Sequence, residues 1–323
     1  MPKLAANLTM LYTEHPFFDR FVAAKADGFQ AVEFMLPYDF TPAQIADELE
    51  NTGLDLVLLN LPPGVWAGGE RSVAVLPERR GEFRDGVDRV IDYARALHCP
   101  MVNCLVGLTP QEGDPGVVRT TLIEKLRYAA PRFAAVGVKL LIGPVNGIDI
   151  PGYDLDRVEK AVAVLDEVGA DNLFLQYGLY RRQRSGGDLL KTFRKCKDRI
   201  AHVQLADNPG RHEPGTGEID YSMIFDALES EGYEGWIGCG YKPANGTSAG
   251  LGWARQFLKA RQTGTTGDGQ CKSALSGSGA AAIGPDAKAS LDRNDAHTFL
   301  EGPGDPAVTG PMPTTNRSEA VSS

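Results

Sequence analysis

Residues 138–145 read VKLLIGPV, an almost uninterrupted apolar run that contains the turn formers glycine and proline near its end. A run of this kind is typical of a parallel strand that is buried on both faces. Seven comparable runs occur elsewhere in the chain, at residues 3–7, 31–36, 55–61, 101–106, 173–177, 200–206 and 235–241. We therefore predict eight strands, and their spacing along the chain decides the fold class.

Amphipathic segments separate these runs and predict the helices. Residues 41–51 read TPAQIADELEN, in which Thr41 suits the N-cap and Pro42 suits the first helical position. The other predicted helices span residues 16–26, 78–97, 117–136, 155–168, 188–196, 221–231 and 249–261. Eight strand–helix units predict an α/β fold of the (β/α)8 TIM barrel class. A doubly wound sheet is the alternative, disfavoured because no GxGxxG follows the first strand and no GxxxxGK[ST] occurs.

The charge balance limits the partners. The 323 residues include 33 Lys and Arg against 42 Asp and Glu, a net charge of -9, which argues against nucleic acid and against a membrane surface as partners. No apolar run reaches the roughly 18 residues that cross a bilayer. The N-terminal MPKLAANLTM lacks the apolar core of a signal peptide, so we expect a soluble, cytoplasmic protein.

Composition also divides the chain near residue 262. Residues 1–262 carry the predicted barrel, whereas residues 263–323 are rich in Gly, Ala, Ser, Thr and Pro and predict a low-complexity, disordered C-terminal tail. The cysteines are widely spaced and form no CxxC, which predicts reduced thiols without a metal role. They are Cys99, Cys104, Cys196, Cys239 and Cys271.

Glycines occupy the ends of three predicted strands, where a barrel enzyme usually carries its catalytic residues. They are Gly143, Gly178 in FLQYGLY (174–180) and Gly240 in IGCGYKP (237–243), and Gln204 lies at the matching position of HVQLAD (202–207). Active sites of such barrels form at the carboxyl ends of the strands, and side chains of one parity face the interior. We expect positions 143, 178, 204 and 240 to converge on one site.

Several longer motifs give the sequence a specific resemblance. The motifs are AANLTMLY (5–12), GFQAVEFMLPYD (28–39), NLPPGVWAGGER (60–71), EFRDGVDRVIDYARAL (82–97), VNCLVG (102–107), NGIDIPGYDL (146–155), HVQLADNPGRHEPGTGEIDY (202–221) and GWIGCGYKP (235–243). With these motifs the chain resembles the hydroxypyruvate isomerase family, within the xylose-isomerase-like barrels, up to about residue 261. The resemblance implies isomerisation of hydroxypyruvate to tartronate semialdehyde, or of a related oxo-acid, through an enediolate.

The resemblance also implies a metal site that this chain does not complete. Members of the family place Glu, Asp, Gln and Glu at the positions of Gly143, Gly178, Gln204 and Gly240, where they hold Mg²⁺ or Mn²⁺. The two glutamates, at 143 and 240, transfer the proton. Only Gln204 survives here, and Arg181 stands where relatives often carry His.

A glycine side chain can neither ligate a metal nor carry a proton. Our hypothesis is that the chain as written binds no metal cofactor and is inactive or strongly impaired as an isomerase. The alternative function is a non-catalytic barrel that binds a metabolite or a subunit. Close packing is a weaker explanation for three glycines at these positions. Each change, Glu to Gly, Asp to Gly or His to Arg, needs one A-to-G codon substitution, so deliberate inactivation, gene decay and a sequence error all stay open.

Other polar residues are candidates for substrate contact. The predicted set is Trp66, Glu70, Arg71, His202, Glu213 and Lys242, with a small hydroxy- or oxo-acid as ligand. A homo-oligomer is compatible with the sequence. Phosphodiester cleavage by a zinc cluster is disfavoured because the predicted barrel has few histidines: His15, His98, His202 and His212.

Overall fold

The computed structural model describes residues 1–258, and these residues form a closed barrel of eight parallel strands. Each strand pairs with the next one along the chain, and the last pairs with the first. The strands are β1 (Lys3–Asn7), β2 (Ala31–Glu33), β3 (Asp55–Asn60), β4 (Met101–Cys104), β5 (Lys139–Ile142), β6 (Leu173–Gly178), β7 (Ile200–Leu205) and β8 (Trp236–Cys239). The predicted fold class and all eight predicted strands are confirmed.

Helices follow the strands around the outside of the barrel. They are α1 (Asp19–Ala26), α2 (Pro42–Thr52), α3 (Arg80–Ala96), α4 (Pro115–Ala134), α5 (Val158–Val168), α6 (Leu179–Gly186), α7 (Leu189–Cys196), α8 (Tyr221–Ser230) and α9 (Thr247–Gly250). Short 3-10 turns lie at Trp66–Gly68, Pro77–Arg79, Lys197–Arg199 and Leu251–Trp253. No helix within residues 1–258 is long and apolar enough to cross a membrane.

The start of α2 forms for the reason that the sequence suggested. The Thr41 hydroxyl accepts a hydrogen bond from the Gln44 backbone N–H at 3.3 Å, and the Gln44 side chain accepts one from the Thr41 N–H at 2.9 Å. This reciprocal pair satisfies two backbone donors that a helix start otherwise leaves open. The helix then ends at Gly53, whose positive φ of 60° suits a residue without Cβ.

One predicted helix needs correction, and one observed helix is absent from the prediction. The helix expected at 249–261 is replaced, within the described residues, by the short α9 and the 3-10 turn Leu251–Trp253, because Gly246, Gly250 and Gly252 weaken the helical preference there. Conversely, α6 was missed because LYRRQRSG has apolar residues only at its start and shows no helical period. The predicted tail at 263–323 and Cys271 lie outside the described residues.

Apolar side chains fill two regions. A small cluster inside the barrel contains Ala5, Ala31, Leu58, Met101 and Leu141. A much larger cluster packs the outer faces of the strands against the helices, and it includes the completely buried Cys239. Cys239 therefore faces the helices, whereas its neighbour Gly240 lies at the barrel mouth. The remaining cysteines of residues 1–258 are also buried and free.

A buried lysine fixes the segment that follows β3. Lys125, in α4, is only 4% exposed, and its ammonium group donates to the carbonyl oxygens of Val73 at 2.6 Å and Leu76 at 2.7 Å. Burial lowers the pKa of Lys125 from its ordinary 10.5 to about 8. The cation is therefore held by carbonyl dipoles and by the Phe83 ring, whose centre lies 5.4 Å from Nζ, at a cost in solvation.

We expect Lys125→Met to alter the pH dependence of stability. Between pH 8 and 10.5 the unfolded lysine keeps its proton while the folded one loses it, so the free energy of unfolding of the parent rises with pH. The free energy of unfolding of the parent minus that of Lys125→Met should rise by about 1 kcal/mol per pH unit between pH 8 and 10.5. Urea unfolding of both proteins at several pH values measures the difference. Parallel profiles from pH 7 to 10.5 would contradict the assignment.

Candidate active site

The four strand-end positions meet at the carboxyl end of the barrel. In the strand register Gly178 lies opposite Gln204, and Gln204 lies opposite Gly238. A Cβ placed on Gly143 would lie 3.3 Å from the Cβ of Gln176, and one on Gly240 would lie 3.8 Å from the Gln204 amide carbon. The Gln176 amide donates to the Gln204 Oε1 at 2.6 Å. Positions 143, 178, 204 and 240 thus surround a single space.

One carboxylate lies at the floor of this space. Glu33, the last residue of β2, is 1% exposed. Its Oε1 accepts hydrogen bonds from Asn7 at 2.8 Å and from the Gln204 amide at 2.5 Å, and its Oε2 lies 2.7 Å from His202 Nε2. Because Gln204 donates to Glu33 and accepts from Gln176, both ends of its side chain are engaged by neighbouring residues. The surviving ligand position of the family is therefore part of a protein hydrogen-bond network.

Glycine is required at 238 for a steric reason. A Cβ on Gly238 would lie 2.4 Å from Glu33 Oε2, much closer than van der Waals contact. The Glu33 carboxylate cannot move away easily, because three hydrogen bonds hold it. Gly238 therefore makes room for Glu33, whereas a Cβ on Gly240 would meet nothing closer than 3.8 Å.

We expect Gly238→Ala to destabilise the protein by about 1–3 kcal/mol through overpacking. Gly240→Ala is the matched control, since it adds the same methyl group near the same strand end at ordinary van der Waals distance from Gln204, and it should change stability by less than about 0.5 kcal/mol. Chemical denaturation of the two variants gives the comparison. Equal effects of the two substitutions would contradict the described position of Glu33.

The space is a small pocket that opens to solvent. Its polar lining consists of Asn7, Glu33, Asn60, Asn103, Gln176, Arg181, Gln204 and Arg211. Its apolar lining consists of Met10, Phe34, Met35, Leu58 and Leu105. Such a lining, which combines apolar side chains with amides, two cations and one carboxylate, suits a small polar ligand.

Sequence reasoning missed several of these lining residues. Asn7, Asn60 and Asn103 each lie at or near the end of an apolar run, so the rule that singled out the glycines could have found them. Glu33 could not be assigned a face, because β2 is short and its register with β3 shifts between Val32 and Glu33. That irregularity breaks the simple alternation of side chains.

Three of the predicted substrate contacts lie in the segment after β3. The Arg71 guanidinium lies over the Trp66 ring at 4.3 Å from its centre. Glu70 forms an ion pair with Arg79 and accepts a hydrogen bond from the Val65 N–H at 2.5 Å, and the bond from Arg79 lowers the pKa of Glu70. These residues bind one another, and none of the three lines the pocket.

The other three predicted contacts have structural partners as well. His202 is completely buried beneath Glu33, so the predicted direct contact with substrate does not fit its position. Glu213 is 8% exposed and accepts from the Ala244 N–H at 3.0 Å, which joins the loops after β7 and β8. Lys242 belongs to the same junction, since its carbonyl oxygen lies 2.8 Å from His212 Nδ1. None of these side chains lines the pocket either.

Two arginines give the pocket its charge. Arg181 lies in the first turn of α6, and Arg211 follows β7 with its guanidinium 5.3 Å from the centre of the Tyr180 ring. Burial lowers the pKa of Arg181. Burial, together with the charge of Arg181, lowers the pKa of Arg211 to about 10, so both side chains stay protonated at neutral pH.

The site residues do not fit a divalent metal. Within residues 1–258 no three side chains of His, Cys, Asp or Glu come together as a metal cluster. Glycines 143, 178 and 240 offer no donor, and the Gln204 oxygen already accepts from Gln176. The Arg181 Nη1 would be 3.8 Å from a Cβ at position 143, which puts a fixed positive charge beside the site. Mg²⁺ and Mn²⁺ require several hard oxygen ligands, and this pocket supplies too few.

The sequence is similar to proteins that are named as isomerases of small oxo-acids. It is 47% identical over 253 residues to the hydroxypyruvate isomerase of Escherichia coli, which covers 78% of this chain and 98% of that protein. It is 45% identical over 258 residues to the 2-oxo-tetronate isomerase of Cupriavidus necator, which covers 80% of this chain and 99% of that protein.

Solved structures and the family model agree on the fold. A crystal structure described as an AP endonuclease of family 2 from Brucella melitensis superimposes with a TM-score of 0.79 at 42% identity, covering 80% of this chain and 100% of that one. The 3-keto-D-glucoside 4-epimerase of E. coli has a TM-score of 0.66 at 18% identity, which supports the fold alone. The family model for the xylose isomerase-like TIM barrel matches residues 21–260. The chain belongs to the xylose isomerase-like TIM barrel family.

Proposed function

We propose that the barrel binds a small hydroxy- or oxo-acid in its central pocket and, as the chain is written, isomerises it very slowly or not at all. The observation that carries the proposal is the combination of an intact, polar pocket with glycine at positions 143, 178 and 240. The names of the similar proteins, hydroxypyruvate isomerase and 2-oxo-tetronate isomerase, suggest the ligand class.

The chemistry explains why the glycines matter. Isomerisation of a hydroxy-oxo-acid moves a proton from one carbon to its neighbour through an enediolate, so a base must lie beside those carbons. General acid–base catalysis by such a group contributes roughly 10²- to 10⁴-fold. Positions 143 and 240 have no group that can carry a proton.

Glu33 does not replace the missing bases. Both of its carboxylate oxygens already have hydrogen-bond partners, and it is 1% exposed at the floor of the pocket. A proton on Oε1 would break the contact with Asn7 or Gln204, and Oε2 is already in contact with the buried His202. We therefore assign Glu33 to the organisation of the pocket rather than to proton transfer.

The proposal is tested by measuring binding and turnover on one preparation. Calorimetric titration with hydroxypyruvate should give saturable binding, while NMR of the same mixture with Mn²⁺ should detect tartronate semialdehyde only at the rate of the buffer control. The E. coli hydroxypyruvate isomerase serves as the positive control for turnover. Enzyme-dependent product formation at a comparable rate would overturn the proposed loss of activity, and absence of binding would overturn the proposed ligand.

A further inference from the structure

Arg181 occupies the room that the glycines leave. A Cβ on Gly178 would lie 3.2 Å from Arg181 Cδ and 3.4 Å from its Cγ. The guanidinium extends towards β5, where Nη1 donates to the Pro144 carbonyl oxygen at 3.5 Å and lies 3.8 Å from the Cβ position of Gly143. A longer side chain at 143 or 178 would compete with Arg181 for this space.

Arg181 forms no direct ion pair in the described part of the chain, although Asp149 and Glu33 lie near enough to act on its charge. Among residues 1–258 neither Arg181 nor Arg211 forms an ion pair with a carboxylate. Asp149, which is nearby, pairs instead with Arg184 at 3.6 Å and accepts from the Tyr180 hydroxyl at 3.2 Å. Glu33 is held by its own three hydrogen bonds. Two arginines and one carboxylate, Glu33, therefore line the pocket, and neither arginine is in direct contact with a carboxylate.

Some buried polar atoms of the described pocket lining have no hydrogen-bond partner in the protein. The Nε of Arg211 is a donor, which suits a carboxylate, and the Oε1 of Gln176 is an acceptor, which suits a hydroxyl group. Burial also lowers the pKa of both arginines, which means that their charged forms lose solvation in the pocket. Buried charges in proteins are usually paired, and a bound anion would supply the pair.

We propose that Arg181, with Arg211 beside it, forms a carboxylate-binding site that works without a metal and prefers small dianionic hydroxy-acids. The proposal rests on the proposed function, because it assigns the ligand class of the same pocket. A guanidinium matches a carboxylate with two parallel N–H···O bonds, and two guanidinium groups accommodate two carboxylates better than one. The fixed cation of Arg181 then provides the attraction that a bound metal would provide elsewhere.

The test uses two three-carbon acids of similar size, tartronate with two carboxylates and glycerate with one. Titration of the whole chain in EDTA should give tighter binding of tartronate than of glycerate by about 10-fold, and weaker binding of tartronate as NaCl is raised. Arg181→Gln should weaken tartronate binding by about 10- to 100-fold, as expected for the loss of a charge-assisted pair. Arg181→Lys should lose less, because the charge remains.

The control is Arg182→Gln, which removes the same charge from the same helix. Arg182 pairs with Glu159 at 3.1 Å, away from the pocket, so tartronate affinity should change less than about 2-fold. The carboxylate site is overturned if tartronate binds only when Mn²⁺ is present, or if Arg181→Gln binds it as tightly as the parent. If hydroxypyruvate binds equally well to the parent and to Arg181→Gln, the carboxylate site is contradicted but the proposed function is not. If the parent isomerises hydroxypyruvate rapidly, the proposed function is contradicted but the carboxylate site is not.

Discussion

A variant that combines Gly143→Glu, Gly178→Asp, Gly240→Glu and Arg181→His is expected to bind Mn²⁺ and to isomerise hydroxypyruvate at least about 10³-fold faster than the parent chain. The first three changes return the carboxylates that the family resemblance implies, and Gln204 is already at their centre. Proton transfer contributes roughly 10²- to 10⁴-fold and metal polarisation adds several kcal/mol. Metal content after gel filtration and NMR product rates give the two readouts.

The fourth change is needed because of Arg181. The family resemblance by itself suggests that restoring the three acidic residues is enough to recover activity. In the structure, Arg181 lies within 3.2 Å of a Cβ at 178 and 3.8 Å of one at 143. Introduced carboxylates would pair with this guanidinium and be lost as metal ligands. We therefore expect the triple variant to bind Mn²⁺ at least about 10-fold more weakly than the quadruple variant. Equal Mn²⁺ affinity would show that Arg181 does not compete.

The same variants should differ in stability when no metal is present. Three carboxylates added around the buried Glu33 repel one another, and each loses solvation at the pocket. In the triple variant Arg181 offsets part of this repulsion, but in the quadruple variant it does not. We expect the order of melting temperature in EDTA to be parent, then triple, then quadruple, with the last roughly 5–10 °C below the parent.

Addition of Mn²⁺ should change that order. A metal that binds only the folded protein stabilises it in proportion to its affinity, so the quadruple variant should gain the most and the parent should gain nothing. Differential scanning calorimetry with EDTA and with Mn²⁺ makes the comparison on the same samples. A quadruple variant as stable as the parent in EDTA would contradict the repulsion argument.

The barrel could be predicted from the sequence because its signals are local. Each strand is a short apolar run, and alternation along it places Gly143, Gly178, Gln204 and Gly240 at one mouth. The residues that complete the pocket are harder to predict from the sequence. The chain changes from strand to helix at Leu179, just before Arg181, so the alternation of side chains no longer indicates where Arg181 points. Tyr180 shows the same effect, since simple alternation would place it on the face of Gln176 and Gly178, but it belongs to α6.

The protein partners of the loop candidates could not be predicted from the sequence for a different reason. Trp66, Glu70 and Arg71 have the side chains of a binding site, yet Arg71 lies over Trp66 and Glu70 pairs with Arg79. Glu213 similarly holds the Ala244 backbone. Which polar groups satisfy one another depends on how loops from different strands approach, and residue type along one chain does not carry that information.

The central claim is that this pocket cannot move a proton between the carbons of its ligand. Solvent-deuterium exchange into hydroxypyruvate in D₂O, followed by ¹H NMR with and without Mn²⁺, measures that step directly, even when no product is released. We predict exchange at the buffer rate for the parent chain in both conditions, and rapid Mn²⁺-dependent exchange for the quadruple variant. Exchange by the parent chain well above the buffer rate would contradict the claim.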